Sequence, residues 1–145
     1  IELANALRLP LKIGGVGSDS GRLKRLAGPT VEFLGFVNDE QLPQLYAHAE
    51  CLLFPQGEEA GLAPLEAHAW GMPVIACAEG GVLDVVIDGQ TGLLVPEQSV
   101  EAFSAAVTAF KARVWNHAAI REHARQFHVS VFEQRISAEV EAALY

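Results

Sequence analysis

Two carboxylates, Glu58 and Glu66, stand eight residues apart across a glycine in the run Glu58-Glu59-Ala60-Gly61-Leu62-Ala63-Pro64-Leu65-Glu66. Acids at this spacing can act as an acid and base pair, or accept hydrogen bonds from the hydroxyl groups of a ligand. The local residues favour a helix beginning between them. Pro64 suits a first helical turn, where its fixed φ helps and its missing N–H costs nothing. Gly71 followed by Met72-Pro73 is a stop signal. The predicted helix runs from about Ala63 to Trp70, with Glu58 in the loop ahead and Glu66 in the first turn. Leu62, Leu65, Ala69 and Trp70 mark an apolar stripe at helical spacing, and Glu66 falls inside it. A carboxylate on the core side requires a hydrogen-bonding partner, which a ligand hydroxyl would supply. The position of Glu66 fits equally well a first-turn acid favoured by the helix dipole, and Glu58 alone fits a solvated loop acid.

The elements around the pair form a βαβ unit. A strand at Cys51–Phe54 leads into the motif, and Val74-Ile75-Ala76-Cys77 follows the helix as a second strand. Open α/β sheets bind ligands at the carboxyl ends of their strands, where free helix N-termini attract phosphate. Gly80-Gly81 repeats the arrangement after the next strand, so its amides and those of Gly61 and Leu62 are expected to form an anion cradle that needs no lysine. A plain tight turn is the other reading of Gly80-Gly81.

The rest of the chain alternates in the same way. Strands are expected at Leu9–Gly14, Val31–Leu34 and Leu93–Val95. Helices are expected at Ser20–Ala27, from an Asn38 or Asp39 cap to Ala49, and from Gly81 to Ile87. Helical patterns then fill Ser99–Val114, Ala118–Phe127 and Val129–Leu144. The expected fold is α/β: one Rossmann-like parallel sheet with helices on both faces, a C-terminal helical extension, and a single domain over residues 1–145. The first residues, Ile1 to Arg8, read as the tail of a helix, and the chain is expected to be a piece of a longer protein.

The chain has 145 residues, half of them apolar, enough for one real core. Its net charge of −8 argues against nucleic acid or an anionic membrane surface as its own partner. All ten Lys and Arg residues lie at positions 8–25 or 111–135, and twelve acids occupy the cation-free stretch between Leu26 and Phe110. A phosphate bound at the motif must therefore be met by amides, by cations of the first segment, or by cations from outside this chain. Cys51 and Cys77 lack metal spacing and read as buried reduced thiols, and a cytoplasmic location is expected.

Other candidate chemistry is weaker. Gly15-Val16-Gly17 follows a strand, but Ser20 stands where a dinucleotide fingerprint needs its third glycine. His48, His68, His117, His123 and His128 share no metal spacing and are expected on solvated helix positions, with His68 facing away from Glu66. No nucleophilic triad can be argued from spacing.

The string from Phe54-Pro55 through Glu58 … Glu66-Ala67 to Gly71-Met72-Pro73-Val74-Ile75-Ala76 resembles the signature of the group-1 retaining glycosyltransferases of GT-B fold. Gly80-Gly81, Asp88-Gly89-Gln90-Thr91-Gly92-Leu93-Leu94-Val95-Pro96 and Val31–Val37 are similar to further parts of it, and the likeness extends over about Leu11 to Leu144. The resemblance implies the C-terminal, nucleotide-sugar-binding domain of a two-domain enzyme that transfers a sugar with retention and without a bound metal. It implies that Glu66 holds the ribose hydroxyls, that Glu58 contacts the donor sugar at the reacting face, and that the amides of Gly61, Leu62 and Ala63 approach the diphosphate or sugar. Phe36 and Val37 would lie near the base, and Gly15, Gly80 and Gly81 are placed with them on the donor. No tightly bound cofactor is expected beyond the nucleotide diphosphate sugar. The acceptor, a glycan or a lipid-linked sugar, would sit with the missing N-terminal half, which could also provide peripheral membrane association. Family members supply an Arg and a Lys upstream of the matched region. The final helix would cross back to the other domain. Ala60 departs from a common phenylalanine and Asp84 from a common glutamate. The Glu-Glu-x-Gly-x-x-Pro-x-Glu variant is similar to mannosyltransferases and points to GDP-mannose, with a UDP-sugar as the other donor. Competing readings are another GT-B enzyme, an epimerase or phosphorylase, and a non-catalytic α/β interaction domain.

Overall fold

The central strand of the fold is sealed on both faces. Val74–Cys77 (β4) has four residues, all buried, and it pairs in parallel with Leu52–Phe54 (β3) on one side and Gly92–Val95 (β5) on the other. Side chains alternate across a strand, and β4 shows the consequence. Val74 and Ala76 join one cluster with Ala67, Val82, Val85 and Val86, while Ile75 and Cys77 join another with Phe103, Val107 and Phe110. The first face is covered by the helices Leu62–Ala69 (α4) and Val82–Val85 (α5), the second by Val100–Lys111 (α6). These features come from a computed structural model that describes residues 1–144.

The expectation of one continuous sheet needs correction. Leu11–Gly14 (β1) and Val31–Gly35 (β2) form a separate parallel pair, with no ladder joining β1 to β3 among the described residues. The two sheets are joined by side chains instead. Leu3, on the first helix Glu2–Leu7 (α1), and Leu9 pack against the cluster that β4 shares with α6. All ladders are parallel, with helices on both faces of the three-stranded sheet, so the α/β class stands.

Two further helices complete the first half. Ser20–Leu26 (α2) follows β1, and Leu42–His48 (α3) follows β2. Asn38 and Gln41 exchange side-chain hydrogen bonds ahead of α3: Asn38 Oδ1 accepts from the Gln41 N–H at 3.0 Å, and Gln41 Oε1 from the Asn38 N–H at 3.2 Å. This reciprocal pair is a capping box at Asn38, as expected, and the Leu42 N–H donates to the Asn38 carbonyl as the regular helix begins. At the other end of the chain, His117–Ala124 (α7) packs on α4, and a 3₁₀ turn at Arg125–Phe127 leads into Val129–Leu144 (α8). No residue of α8 is buried, and Val129, Phe132, Ile136, Val140 and Leu144 form an exposed stripe at helical spacing. No helix among the described residues is long and apolar enough to cross a membrane.

Candidate functional site

The loops after β3 and β4 pack backbone against backbone, and three glycines make that contact available. Gly80 has φ +72°, and a Cβ there would lie 2.3 Å from the Glu58 carbonyl oxygen. A Cβ on Gly81 would lie 2.4 Å from the Glu59 carbonyl oxygen. Gly61, at φ +61°, would bring its Cβ to 3.1–3.2 Å from the backbone of Gly81 and Val82. At Gly61 and Gly80 only glycine meets both demands, left-handed backbone and absent side chain, whereas Gly81 needs only the absent side chain. The result places the starts of α4 and α5 side by side.

Hydrogen bonding across this contact corrects one expectation. The Gly81 N–H is not free for an anion: it donates to the Glu58 carbonyl oxygen at 2.8 Å, within a bridge pairing Glu58 with Gly80. Leu83 and Asp84 N–H groups donate to the Gly80 and Gly81 carbonyls. The amides of Leu62, Ala63 and Val82 have no backbone acceptor among the described residues. A helix start leaves its first N–H groups unpaired, so the amides of the exposed Leu62 and the half-buried Ala63 are available at the surface, whereas Val82 is fully buried.

Glu58 is exposed, and its Oε1 accepts a hydrogen bond from Gln56 Nε2 at 3.2 Å. Glu66 is also exposed, contrary to its expected place on the core face. The buried face of α4 is Pro64, Ala67 and His68, while Leu62 and Trp70 are 62% and 44% exposed. Small residues let the helix lie close to β4, and the larger hydrophobes are left at the rim. Glu66 thus has a protein partner instead of a desolvation penalty. The Tyr46 hydroxyl on α3 donates to its Oε2 at 3.1 Å. Burial raises the Tyr46 pKa to about 12, with the neighbouring Glu66 charge and this hydrogen bond acting in the same direction. Tyr46 therefore stays a donor throughout the physiological range. The sequence contained no signal pairing these two residues.

A second group gathers at the ends of β1 and β2. The Gly15 N–H donates to the Gly35 carbonyl at 2.7 Å, and Val37 packs over Gly14. Phe36 and Val16 are each 74% exposed. The expected site residues therefore fall into two groups: Glu58, Gly61–Ala63 and Gly80–Gly81 on the larger sheet, and Gly15, Phe36 and Val37 on the smaller. Tyr46 and Glu66 connect the helices that follow each.

Two of the histidines, His68 and His123, depart from expectation, while His117 is exposed on α7 as expected. His68 is fully buried, and its Nε2 lies 3.0 Å from the Thr91 carbonyl. A carbonyl can only accept, so Nε2 carries the proton and Nδ1 is a bare acceptor without a partner. Protonating Nδ1 would bury an unpaired donor. Burial accordingly lowers the His68 pKa to about 4, against the opposing pull of the Thr91 carbonyl, with a small further push from His123. His117 Nδ1 binds the Gly71 carbonyl at 2.9 Å and His123 Nε2 the Val85 carbonyl at 2.8 Å. His68 thus ties α4 to the turn before β5, and His117 and His123 tie α7 to the end of α4 and to α5. His48 and His128 are exposed, as expected. Two grooves of about 400 and 450 Å³ lie between the Ile87–Thr91 segment and α7, at the end of β5 opposite the glycine loops.

This arrangement, two glycine-opened helix starts beside a pair of acids at the carboxyl ends of parallel strands, has a counterpart among known proteins. Residues 8–127 match the family model described as glycosyl transferases group 1. The chain belongs to that family. This group 1 glycosyltransferase sequence is 36% identical over 121 residues to D-inositol 3-phosphate glycosyltransferase of Geodermatophilus obscurus, covering 74% of this chain and 27% of that protein. It is 45% identical over 65 residues to an alpha-1,3/1,6-mannosyltransferase of Dictyostelium discoideum, covering 44% of this chain and 16% of the relative. The chain thus spans less than a third of the length of the curated relatives it matches. Its fold is similar to that of Anabaena HepE in complex with UDP and glucose, with a TM-score of 0.75 at 23% identity over 97% of this chain and 44% of that one.

Proposed function

We propose that this glycosyltransferase chain is the nucleotide-sugar-binding half of a two-domain retaining enzyme. The observation that carries the reading is the interlocked glycine contact. It sets the start of α4, with the unpaired amides of Leu62 and Ala63, beside the backbone of Glu58. Such a cluster of N–H groups and dipoles suits a diphosphate, both in the bound donor and as the leaving group gains charge during transfer. Glu58 faces the donor sugar and Glu66, one turn into α4, accepts from the ribose hydroxyls. Gly15, Phe36 and Val37 border the base, and Phe36 offers an exposed ring for it. Gly80 and Gly81 act by shaping the contact, with Gly81 holding the Glu58 backbone in place.

The remaining phosphate charge is met by cations of a preceding domain, because the stretch from Leu26 to Phe110 that carries the motif holds no Lys or Arg. The reaction proceeds without a resident metal. The donor is GDP-mannose or a UDP-sugar: the motif variant and the mannosyltransferase relative favour the first, the UDP-bound structural neighbour the second. The acceptor, a glycan or lipid-linked sugar, binds the N-terminal half, where peripheral membrane contact would also reside, and the enzyme works in the cytoplasm. The apolar stripe of α8 is the face that packs on that half.

Calorimetric titration with UDP and GDP tests the reading. The wild-type chain is expected to bind one of them, with Glu66→Ala weakening it about tenfold or more through loss of hydrogen bonds to a charged group. Equal affinity in the two proteins would contradict it.

A further inference from the structure

Tyr46 sits between two parts of the candidate site that no ladder connects. Its ring packs against the cluster formed by Phe54, Ala67 and Val74, so the aromatic body is anchored. Its hydroxyl emerges at the edge of α4 and donates to Glu66 Oε2 at 3.1 Å. Glu66 itself is exposed, so packing does not hold its long side chain. An exposed glutamate samples several rotamers, and binding through it would cost the entropy of choosing one. A donor anchored in the core removes much of that cost. Oε1 accepts no hydrogen bond from another side chain among the described residues, so it remains open to a ligand.

We propose that Tyr46 is a positioning residue that pre-sets the Glu66 carboxylate for a vicinal diol, leaving Oε1 and the second lone pair of Oε2 to accept from two adjacent hydroxyls. The inference rests on the reading of Glu66 as the ribose-binding acid and adds the residue that orients it. The link has a second consequence. α3 follows directly on the Phe36–Val37 loop, so the Tyr46–Glu66 bond ties the helix behind the base-side loop to the helix that carries the ribose acid. Stability gains little from this bond, since both side chains have access to water and could be solvated if it were broken. Its advantage lies in geometry.

The test compares UDP and GDP, each against its 2′-deoxy and 3′-deoxy forms, by calorimetry on the full chain and its Tyr46→Phe and Glu66→Ala variants. Phenylalanine keeps the ring and removes only the hydroxyl. Tyr46→Phe is expected to weaken the ribonucleotide about fivefold, to leave the deoxy forms nearly unchanged, and to keep the melting temperature. In a Glu66→Ala background the same change should add nothing. A preference for ribose that survives Tyr46→Phe but vanishes in Glu66→Ala would overturn the positioning role while keeping the ribose acid. Equal weakening of ribo and deoxy forms by Tyr46→Phe would overturn it too, as a general packing effect. A ribose preference that survives Glu66→Ala would overturn the assignment of Glu66, and the positioning role with it.

Discussion

The two loop groups of the candidate site are built on opposite principles. After β3 and β4 the loops interlock, with three glycines admitting carbonyl oxygens to within 2.3–3.2 Å of where a side chain would begin. After β1 and β2 the loops meet through one hydrogen bond, from the Gly15 N–H to the Gly35 carbonyl, and leave Phe36 and Val16 exposed. The first arrangement permits almost no variation and fixes amides in space. The second tolerates substitution and presents surface. In the proposed function the rigid loops hold the diphosphate and the open loops border the base.

The sharpest way to break the contrast is Gly80→Ala. It places a Cβ against the Glu58 carbonyl and forces a left-handed φ, and should cost about 3–4 kcal/mol by thermal unfolding, with nucleotide binding lost alongside. Gly15→Ala is strained in φ but meets no atom within 4 Å, so its cost should be about 1–2 kcal/mol, below that of Gly80→Ala. Similar losses at the two glycines would erase the distinction.

Acid should loosen the rigid half next. His68 has a folded pKa of about 4 against an ordinary value of 6.5, so between these values the unfolded chain binds a proton that the folded chain refuses. Stability is complete above about pH 6.5 and declines as pH falls toward 4, by about 3 kcal/mol for this group. His68→Gln, whose amide can still donate to the Thr91 carbonyl, should flatten that part of the melting-temperature profile between pH 7 and 4.5. An unchanged profile would remove His68 as the cause.

Glu66→Ala should separate binding from stability. The side chain is exposed, so unfolding should move by less than about 0.5 kcal/mol, while nucleotide affinity falls by about 2 kcal/mol. Phe36→Ala is the mildest change. It should leave stability intact and reduce affinity by about 1 kcal/mol, unequally for UDP and GDP. Equal losses for the two bases would show that the open loop does not read them.

The order of elements was legible because glycine and proline mark its boundaries: Pro64 near the start of α4, Gly71 at its end, Gly80-Gly81 before α5. Gly71 shows how well such a mark can work. It adopts φ +75°, and the Gly71 and Met72 N–H groups donate to the His68 and Ala67 carbonyls in a Schellman arrangement. The orientation of α4 was not legible. Periodicity weights Leu62 and Trp70 by size, whereas close packing on β4 selected Pro64, Ala67 and His68. The roles of the histidines escaped because their partners are distant in sequence: Thr91 for His68, Gly71 for His117, Val85 for His123. The break between β1 and β3, the capture of the Gly81 amide and the Tyr46–Glu66 bond are long-range for the same reason. Motif spacing put forward the acids and glycines of the candidate site, and tertiary contacts decided which amides and which carboxylate oxygens remain available.

The central claim is that the interlocked loops hold a diphosphate with backbone amides. Backbone amide NMR during titration with UDP and GDP measures it most directly. The largest saturable shifts should fall at Leu62 and Ala63, with smaller ones around Glu66 and little change in α7. Millimolar nucleotide that leaves those two amides unmoved, or that shifts only the α7 grooves, would contradict it.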